Sequence, residues 1–291
     1  LPIYQDAVQA EVHSPTFLAG AWERDGTALV HPAKLGLELA RVATDLGVEI
    51  YEHTLVQDIL GDGSGPITVE ARDGRVVADA VALATNVFPS LLKRNRLMTV
   101  PVYDYVLMTE PLSTEQLSSI GWRNRQGLAD SANQFHYYRL TADDRILFGG
   151  YDAVYHYGGK VRPEYEDRIK SHRRLASHFF TTFPQLEGLR FTHRWAGAID
   201  SSSRFCAFFG TARKGRVTYA TGFTGLGVGA ARFAADVMLD KLAGEETERT
   251  ALQMVRQRPV PFPPEPAAAV GINLVRAAMD RADHNGGKRN L

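Results

Sequence analysis

Four glycines fall within residues 222–229, which read Gly-Phe-Thr-Gly-Leu-Gly-Val-Gly between an apolar run and a helical pattern. Glycines let a bulky ligand approach the backbone, and the first amides of the following helix can donate to an anion or a carbonyl oxygen. Gly225, Gly227 and Ala230 match the G-x-G-x-x-A spacing of a dinucleotide-binding turn, but no strand ending in an acidic residue follows. Tight packing of a helix on a strand explains the same glycines.

A second candidate group is aromatic and polar: residues 135–139 read Phe-His-Tyr-Tyr-Arg, and more aromatic residues follow downstream. Alternation along a strand places His136 and Tyr138 on one face and Tyr137 and Arg139 on the other. One such face can line a small-molecule pocket with rings and a few polar groups. Aromatic pairs that stabilise a half-buried sheet are the alternative interpretation.

The cysteine and histidine side chains do not indicate a disulfide or a metal site. Cys206 is the one cysteine of the sequence, which excludes an internal disulfide and a thiolate zinc site, and we expect it to be buried. His172 and His178 are six positions apart on a predicted helix, so they cannot be ligands on one helix face, and we expect both at the surface. The sequence predicts no metal site and assigns no catalytic residue.

Composition narrows the class of protein. The 291 residues carry 33 basic and 33 acidic side chains, and 44% are hydrophobic, which indicates a folded globular chain with no nucleic-acid footprint. No apolar run approaches the ~18 residues of a membrane span. With one cysteine, the expected location is the reducing cytoplasm.

Hydrophobic periodicity predicts the elements that position these residues. Strands are expected at 48–51, 54–60, 67–71, 76–80, 81–85, 100–109, 135–140, 146–151, 189–196 and 216–221. Helices are expected at 33–46, 163–183, from the glycine turn to about 242, and at 267–283 after a proline-rich linker. Residues 81–85 are continuously apolar, which predicts a parallel strand buried on both faces.

Six segments in a particular order resemble the FAD-dependent D-amino-acid oxidase-like family, over about residues 12–245. Within that family they are most similar to the glycine oxidase, sarcosine oxidase and gamma-glutamylputrescine oxidase branch. The segments are His31-Pro32 with the following helix, Glu-His-Thr-Leu-Val at 52–56, Ala-Leu-Ala-Thr-Asn at 82–86, Thr-Glu-Pro-Leu at 109–112, Arg-Trp-Ala-Gly at 194–197 and Thr-Gly-Phe-Thr-Gly-Leu-Gly at 221–227.

The resemblance implies positions that bind FAD. The backbone of Val56 would hold the adenine, Thr85 and Asn86 would pass beside the cofactor, and the glycine turn would lie against the isoalloxazine, where its amides stabilise negative charge on the reduced ring. The implied cofactor-binding residues are Val56, Thr85, Asn86, Gly197, Gly222, Phe223, Thr224, Gly225, Leu226, Gly227 and Val228.

The resemblance also implies a reaction, hydride transfer to the flavin from a C–H beside an amine nitrogen of a small-molecule substrate. Amino-acid-oxidising relatives carry an arginine after the Trp-Ala-Gly segment, whereas here residues 198–200 read Ala-Ile-Asp, which favours an amine or a substrate anchored by another arginine. Phe148 aligns with the lysine that sarcosine-oxidising relatives use to activate oxygen. The resemblance therefore does not decide whether oxygen or another molecule reoxidises the flavin. The candidate substrate residues are Tyr137, Arg139, Tyr151, His156 and Arg194.

The expected fold class is α/β (α+β), the C-terminal part of an FAD/NAD(P)-binding-like domain with a largely antiparallel sheet domain. The expected domains are a partial FAD-binding domain (1–96), an antiparallel-sheet substrate domain (97–200), a return to the FAD-binding domain (201–250), and a proline-rich linker with a C-terminal helix (251–291). The family's N-terminal strand, G-x-G-x-x-G turn and helix do not occur, so the chain is expected to be truncated. A non-catalytic fragment or interaction module without FAD, or a carbohydrate- or peptide-binding sheet, are the alternatives.

Overall fold

The computed structural model describes residues 2–284 and alternates helices with strands along the chain. The strands are β1 (Pro2–Tyr4), β2 (Ala19–Ala21), β3 (Val56–Leu60), β4 (Ile67–Ala71), β5 (Arg75–Ala78), β6 (Val81–Leu83), β7 (Thr99–Thr109), β8 (Leu128–Ala129), β9 (His136–Leu140), β10 (Ile146–Gly150), β11 (Val154–Tyr155), β12 (Phe191–Ser202), β13 (Phe208–Ala212) and β14 (Val217–Thr221). The helices are α1 (Gln5–Glu11), α2 (Pro32–Asp45), α3 (Thr114–Ile120), α4 (Ile169–Thr182), α5 (Gly227–Ala243), α6 (Glu248–Ala251), α7 (Gln253–Arg256) and α8 (Ala267–His284).

A six-stranded antiparallel sheet, the large sheet, is built from the middle of the chain. Strands β10 and β11 pair with one edge of β7, β12 pairs with its other edge, and β9 and β8 follow beyond β10. The strands predicted at 100–109, 135–140 and 146–151 are confirmed. Strand β12 extends beyond the predicted 189–196 because β7 offers it a partner along its whole length, as far as Ser202 opposite Thr99.

One surface of the large sheet, the helix face, packs against α4. Tyr105, Tyr138 and Phe148 point to this side and form an apolar core with Phe179 and Phe183 of the helix. Burial of five large aromatic side chains removes enough apolar area from water to make this contact a main source of the fold's stability.

The opposite surface, the open face, carries Asp104 of β7, Tyr137 and Arg139 of β9, and Trp195 and Gly197 of β12, because neighbours in a strand alternate. The first three are half-buried, and Trp195 and Gly197 are exposed. The prediction that Tyr137 and Arg139 share a face opposite to His136 and Tyr138 is confirmed. The open face is therefore a polar and aromatic surface with access to solvent.

Two three-stranded sheets adjoin the large sheet. Strand β14 lies between β13, which is antiparallel to it, and β6, which is parallel to it. Strands β3, β4 and β5 form an antiparallel meander, in which β4 and β5 correspond to the strands predicted at 67–71 and 76–80. Ile59 and Ile67 of the meander share a core with Leu83, Phe208 and Tyr219, so the two small sheets are packed together.

Two predicted strands differ from the structure in the same region. Residues 48–51 are not a strand, because within residues 2–284 no segment pairs with them, and Val48, Ile50 and Tyr51 are 51%, 48% and 66% exposed. The strand predicted at 81–85 is shorter and is not buried on both faces, since Ala82 is exposed. Strand β6 is an edge strand, and Ala82 lies on its uncovered side.

The helix predicted at 163–183 begins six residues later, at Ile169. Pro163–Tyr165 form a separate short turn, and Arg168 has an extended backbone. The carbonyl of Tyr165 accepts a hydrogen bond from the hydroxyl of Tyr105 at 2.8 Å, so a side chain of the sheet takes the place of a helical amide.

The proline-rich segment and α8 close the chain onto the large sheet. Glu265 accepts hydrogen bonds from the hydroxyl of Tyr155 at 2.6 Å and the amide of Gly158 at 2.9 Å, and Asp280 accepts one from Tyr151 at 2.7 Å. The helix predicted at 267–283 is confirmed. Neither α8 nor any other helix within residues 2–284 is long and apolar enough to cross a membrane.

Candidate active site

The glycine-rich turn joins β14 to α5 and is fastened to β12 by Asp200. The Asp200 carboxylate accepts the amide of Gly222 at 2.5 Å and the hydroxyl of Thr221 at 3.2 Å, and its carbonyl accepts the amide of Thr224 at 3.1 Å. Asp200 is only 2% exposed, and this burial raises its pKa, while the hydrogen bond from Gly222 acts in the opposite direction. A buried carboxylate therefore fixes the shape of the turn.

Within residues 2–284, little covers the outer surface of this turn at Gly225 and Gly229. A Cβ added at Gly229 would meet nothing within 4 Å, and one added at Gly225 would meet only the Cδ1 of Ile199 at 3.7 Å. Gly225 has a φ of +87°, which favours glycine. Leu226 and Val228 are 64% and 57% exposed. Bare backbone flanked by exposed apolar side chains is a cradle that fits a flat aromatic ligand such as an isoalloxazine.

The backbone amides at the start of α5 make this cradle favourable for a negatively charged group. The helix begins at Gly227, and no side chain caps it. The first amides of a helix have no partners within the helix and favour negative charge. The turn therefore offers both space and hydrogen-bond donors to an electron-rich ring.

A cavity lies beside the turn, at the carboxyl ends of the parallel strands β6 and β14. The last paired residues are Tyr219 and Leu83, so Thr221 and Thr85 follow at the same level. The cavity is lined by Leu83, Thr85, Asn86, Phe88, Ser90, Asn95, Thr99, Tyr219 and Thr221. Ligands of open α/β sheets bind at this position, outside the carboxyl ends of the strands. The structure thus brings Thr85 and Asn86 together with the residue that precedes Gly222.

Asn86, which lines this cavity, has an unusual backbone conformation. Its φ is +50°, in the left-handed region where asparagine is the best tolerated residue after glycine. Val56, by contrast, begins β3 in a different sheet and does not line the cavity.

Two of the candidate substrate residues lie on the open face. The hydroxyl of Tyr137 donates to the Oδ2 of Asp104 at 2.5 Å, and Nη1 of Arg139 donates to the carbonyl of Val30 at 2.5 Å. Gly197 lies opposite Asp104 on β12 and has no atom within 4 Å of an added Cβ. Burial raises the pKa of Asp104, and the hydrogen bond from Tyr137 opposes that shift.

The structure does not bring Tyr151, His156 and Arg194 to the open face. Tyr151 stacks on His136 with ring centroids 5.2 Å apart, and His156 stacks on Tyr165 at 3.7 Å. Arg194 lies two positions before the buried Ala196 and therefore shares its face of the sheet. Arg194 forms an ion pair with Asp167 at 2.9 Å. These three side chains lie on the side of the large sheet that packs against the helices, where they already have partners in the protein.

The sequence-based expectations about the burial of His172, His178 and Cys206 are wrong. His172 is 5% exposed and His178 is half-buried, because both lie on the stripe of α4 that faces the sheet with Phe179. Phe148, which the resemblance aligns with the lysine of sarcosine-oxidising relatives, is fully buried on the helix face. Cys206 is half-buried and not buried.

The sequence also missed a polar cluster beside α4. Nδ1 of His136 lies 2.6 Å from Oδ2 of Asp130, and its Nε2 lies 2.8 Å from Nδ1 of His178. Burial and the neighbouring His136 lower the pKa of His178 to about 4. Within residues 2–284 no three His, Cys, Asp or Glu side chains are grouped so as to hold a metal ion.

Comparison with known proteins defines the class of this fold and site. Residues 4–241 match the sequence model of the DAO family, described as FAD dependent oxidoreductase, and the chain belongs to this family. FAD is the cofactor of the family, and the resemblance based on six segments is confirmed.

Individual relatives agree with this assignment. The chain is 28% identical over 239 residues to the probable oxidoreductase OrdL of Haemophilus influenzae, covering 80% of this chain and 51% of that protein. It is 28% identical over 262 residues to the gamma-glutamylputrescine oxidoreductase of Escherichia coli, covering 88% and 57%. The crystal structure of L-proline dehydrogenase from P. horikoshii has the same fold, with a TM-score of 0.71 at 18% identity, over 85% of this chain and 65% of that one. The chain thus spans about half the length of the curated relatives it matches.

Proposed function

We propose that this chain carries the substrate face and flavin-facing turn of an enzyme that oxidises a C–N bond of a small amine or amino acid. One observation supports the proposal above the others: Asp200 holds an uncovered glycine turn between a cavity at the strand ends and an open polar sheet face. When bound, FAD supplies the acceptor for a hydride from the carbon beside the substrate nitrogen. A cytoplasmic location is part of the proposal, since the sequence has one cysteine.

Each part of the site has a defined role in this proposal. The amides from Gly222 to Val228 stabilise negative charge on the reduced ring, Thr85 and Asn86 line the path of the cofactor, and Val56 contacts the adenine through its backbone. Tyr137 and Arg139 orient the substrate from the open face. Gly197 keeps the space between substrate and turn free of side chains.

We propose that the chain is divided into a cofactor-binding part, a substrate part and a C-terminal linker with a helix. Residues 1–96 and 201–250 form the cofactor-binding part, residues 97–200 the substrate part, and residues 251–291 a linker and helix. In the structure, β6 and β14 pair directly although more than a hundred positions separate them, which supports joining the first and third of these segments.

Reconstitution with FAD tests the proposal. The purified chain is titrated with FAD and followed by flavin fluorescence, and then a panel of amines and amino acids is added without oxygen while the oxidised-flavin absorbance is recorded. Saturable FAD binding and bleaching by at least one amine are expected. A chain that binds no FAD contradicts the proposal. FAD binding without bleaching by any member of the panel would favour a non-catalytic module.

A further inference from the structure

Asp104 is a carboxylate on the open face without a lysine or arginine partner among residues 2–284. The amides of Tyr105 and Gly150 and the nearby His136 favour its ionised form, but burial outweighs them and raises its pKa. Asp104 lies in the middle of β7, half-buried, and its Oδ2 accepts one side-chain hydrogen bond, from Tyr137 at 2.5 Å. Within residues 2–284, no lysine or arginine nitrogen lies within 4 Å of it. A carboxylate withdrawn from water is costly unless a cation or several donors compensate its charge.

Two other buried carboxylates of this chain are compensated by guanidinium groups. Asp152 is 2% exposed and contacts three guanidinium groups, from Arg168, Arg174 and Arg276, at 3.1 to 3.3 Å. Asp240 is paired with Arg249 at 3.0 Å. Asp104 and Asp200 have no such cation among the described residues, but Asp200 is closed in by the glycine turn, whereas Asp104 is half-buried on the open face.

The surroundings of Asp104 keep one side of it accessible. Gly197 faces it across the β7–β12 ladder, and a side chain at that position would extend into space that is empty. On the other side, the ring of Tyr137 lies directly over Gly149, where an added Cβ would come within 2.7 Å of Cζ and Oη. Two glycines thus leave room for the phenol to reach Asp104 and for a ligand to approach it.

The glycine turn is close to this accessible side. Ile199 follows Gly197 by two positions on β12, and its Cδ1 is the atom nearest to a Cβ added at Gly225. Two residues of a strand span about 7 Å, which is close to the length of a small substrate. A ligand atom held by Asp104 therefore lies within reach of a group seated on the turn.

We propose that Asp104 binds the ammonium group of an aliphatic amine substrate and that Tyr137 orients the carboxylate for this contact. The inference rests on the proposed function and deepens it, because it names the residue that would bind the nitrogen end of the substrate. Anionic and neutral molecules of the same shape lack the charge that completes the site.

Calorimetric binding to the FAD-loaded chain tests this inference, with n-butylamine and putrescine as cationic probes and 1-butanol as the neutral one. Asp104→Asn keeps the shape and an acceptor for Tyr137 but removes the charge, and it is expected to weaken binding of both amines about tenfold or more. Binding of 1-butanol is expected to stay unchanged. Glu110→Gln, at the position just after the same strand, where the carboxylate is paired with Arg190, is the matched control and is expected to leave all three affinities unchanged.

Each result has a separate meaning. Equal affinity of wild type and Asp104→Asn for the amines overturns the ammonium site, as does a wild-type chain that binds n-butylamine no better than 1-butanol. Asp104-dependent amine binding without any bleaching of bound FAD leaves the ammonium site intact and contradicts the proposed function. Thermal unfolding of each variant verifies that a loss of affinity does not reflect a loss of folding.

Discussion

The carboxylate of Asp200 accepts the backbone amide of Gly222 at 2.5 Å, across 22 positions of sequence, and by this contact β12 determines the path of the glycine turn. We expect Asp200→Ala to weaken FAD binding and to lower the free energy of unfolding by about 1–3 kcal/mol, because two donors lose their buried acceptor. FAD titration and urea denaturation measure the two effects. Asp73→Asn in an exposed hairpin is the control and should change neither.

Asn86 provides a test of backbone conformation. Because its φ is +50°, Asn86→Gly should bind FAD as wild type does, whereas Asn86→Val should lose about 1–2 kcal/mol of stability. Chemical denaturation of the two variants gives the comparison. Equal stability of the glycine and valine variants would show that the left-handed conformation at this position is not required.

Gly149 provides a test of the contact between the tyrosine ring and the strand. Gly149→Ala places a methyl group within 2.7 Å of the ring of Tyr137, so the phenol must move away from Asp104. Amine affinity should fall, while FAD affinity should be retained. Gly36→Ala in α2, where an added Cβ meets nothing within 4 Å, should instead stabilise the chain by about 0.5–1 kcal/mol. Unchanged amine affinity in Gly149→Ala would contradict the role given to Tyr137.

The pH dependence of amine binding should report the ionisation of Asp104. Its pKa is raised by burial and is held down by the hydroxyl of Tyr137, by the amides of Tyr105 and Gly150, and by His136. Binding of an ammonium requires the ionised carboxylate, so affinity is lost as the pH falls through this pKa. Tyr137→Phe removes a stabilising donor and should move the acid limb to higher pH. Calorimetric affinities for n-butylamine at successive pH values give the curve, and an acid limb at the same pH in both proteins would argue against the contact.

His178 should make the fold sensitive to acid. Its pKa is lowered to about 4 by burial and by the nearby His136, Arg174 and His284, with Asp130 acting in the opposite direction. Between that value and its ordinary pKa the unfolded chain binds the proton more readily, so stability falls as the pH decreases through this range. His178→Gln cannot take up the proton and should flatten this dependence. Urea midpoints between pH 7 and about 4 measure the effect, and parallel curves for wild type and variant would exclude His178 as the cause.

Sequence periodicity predicted the parts of the site that are local. The strand, turn and helix around residues 216–242 are one continuous signal, since apolar alternation, glycines and helical spacing follow each other without a gap. The same holds for the alternation that separates Tyr137 from Tyr138. Such patterns specify which face a side chain occupies, and the structure confirms those faces.

Those patterns did not predict the long-range contacts that complete the site. Asp104 and Tyr137 are 33 positions apart, and their contact depends on the register of β7, β10 and β9 together. Asp200 was noted only because an arginine was expected nearby, since a lone acidic residue carries no sign of being buried. The polar residues of α4 were assigned to the surface because polarity outweighed spacing, although His178 falls on the helical stripe of Phe179.

Strand β12 has a consequence for how the site responds to motion. Gly197, which borders the amine position, and Asp200, which holds the turn, are three residues apart on one continuous strand that pairs with β7 throughout. In the proposed arrangement, one strand therefore spans the separation between the amine and the flavin-facing turn. Movements that keep the contact between Asp200 and Gly222 would leave this separation unchanged.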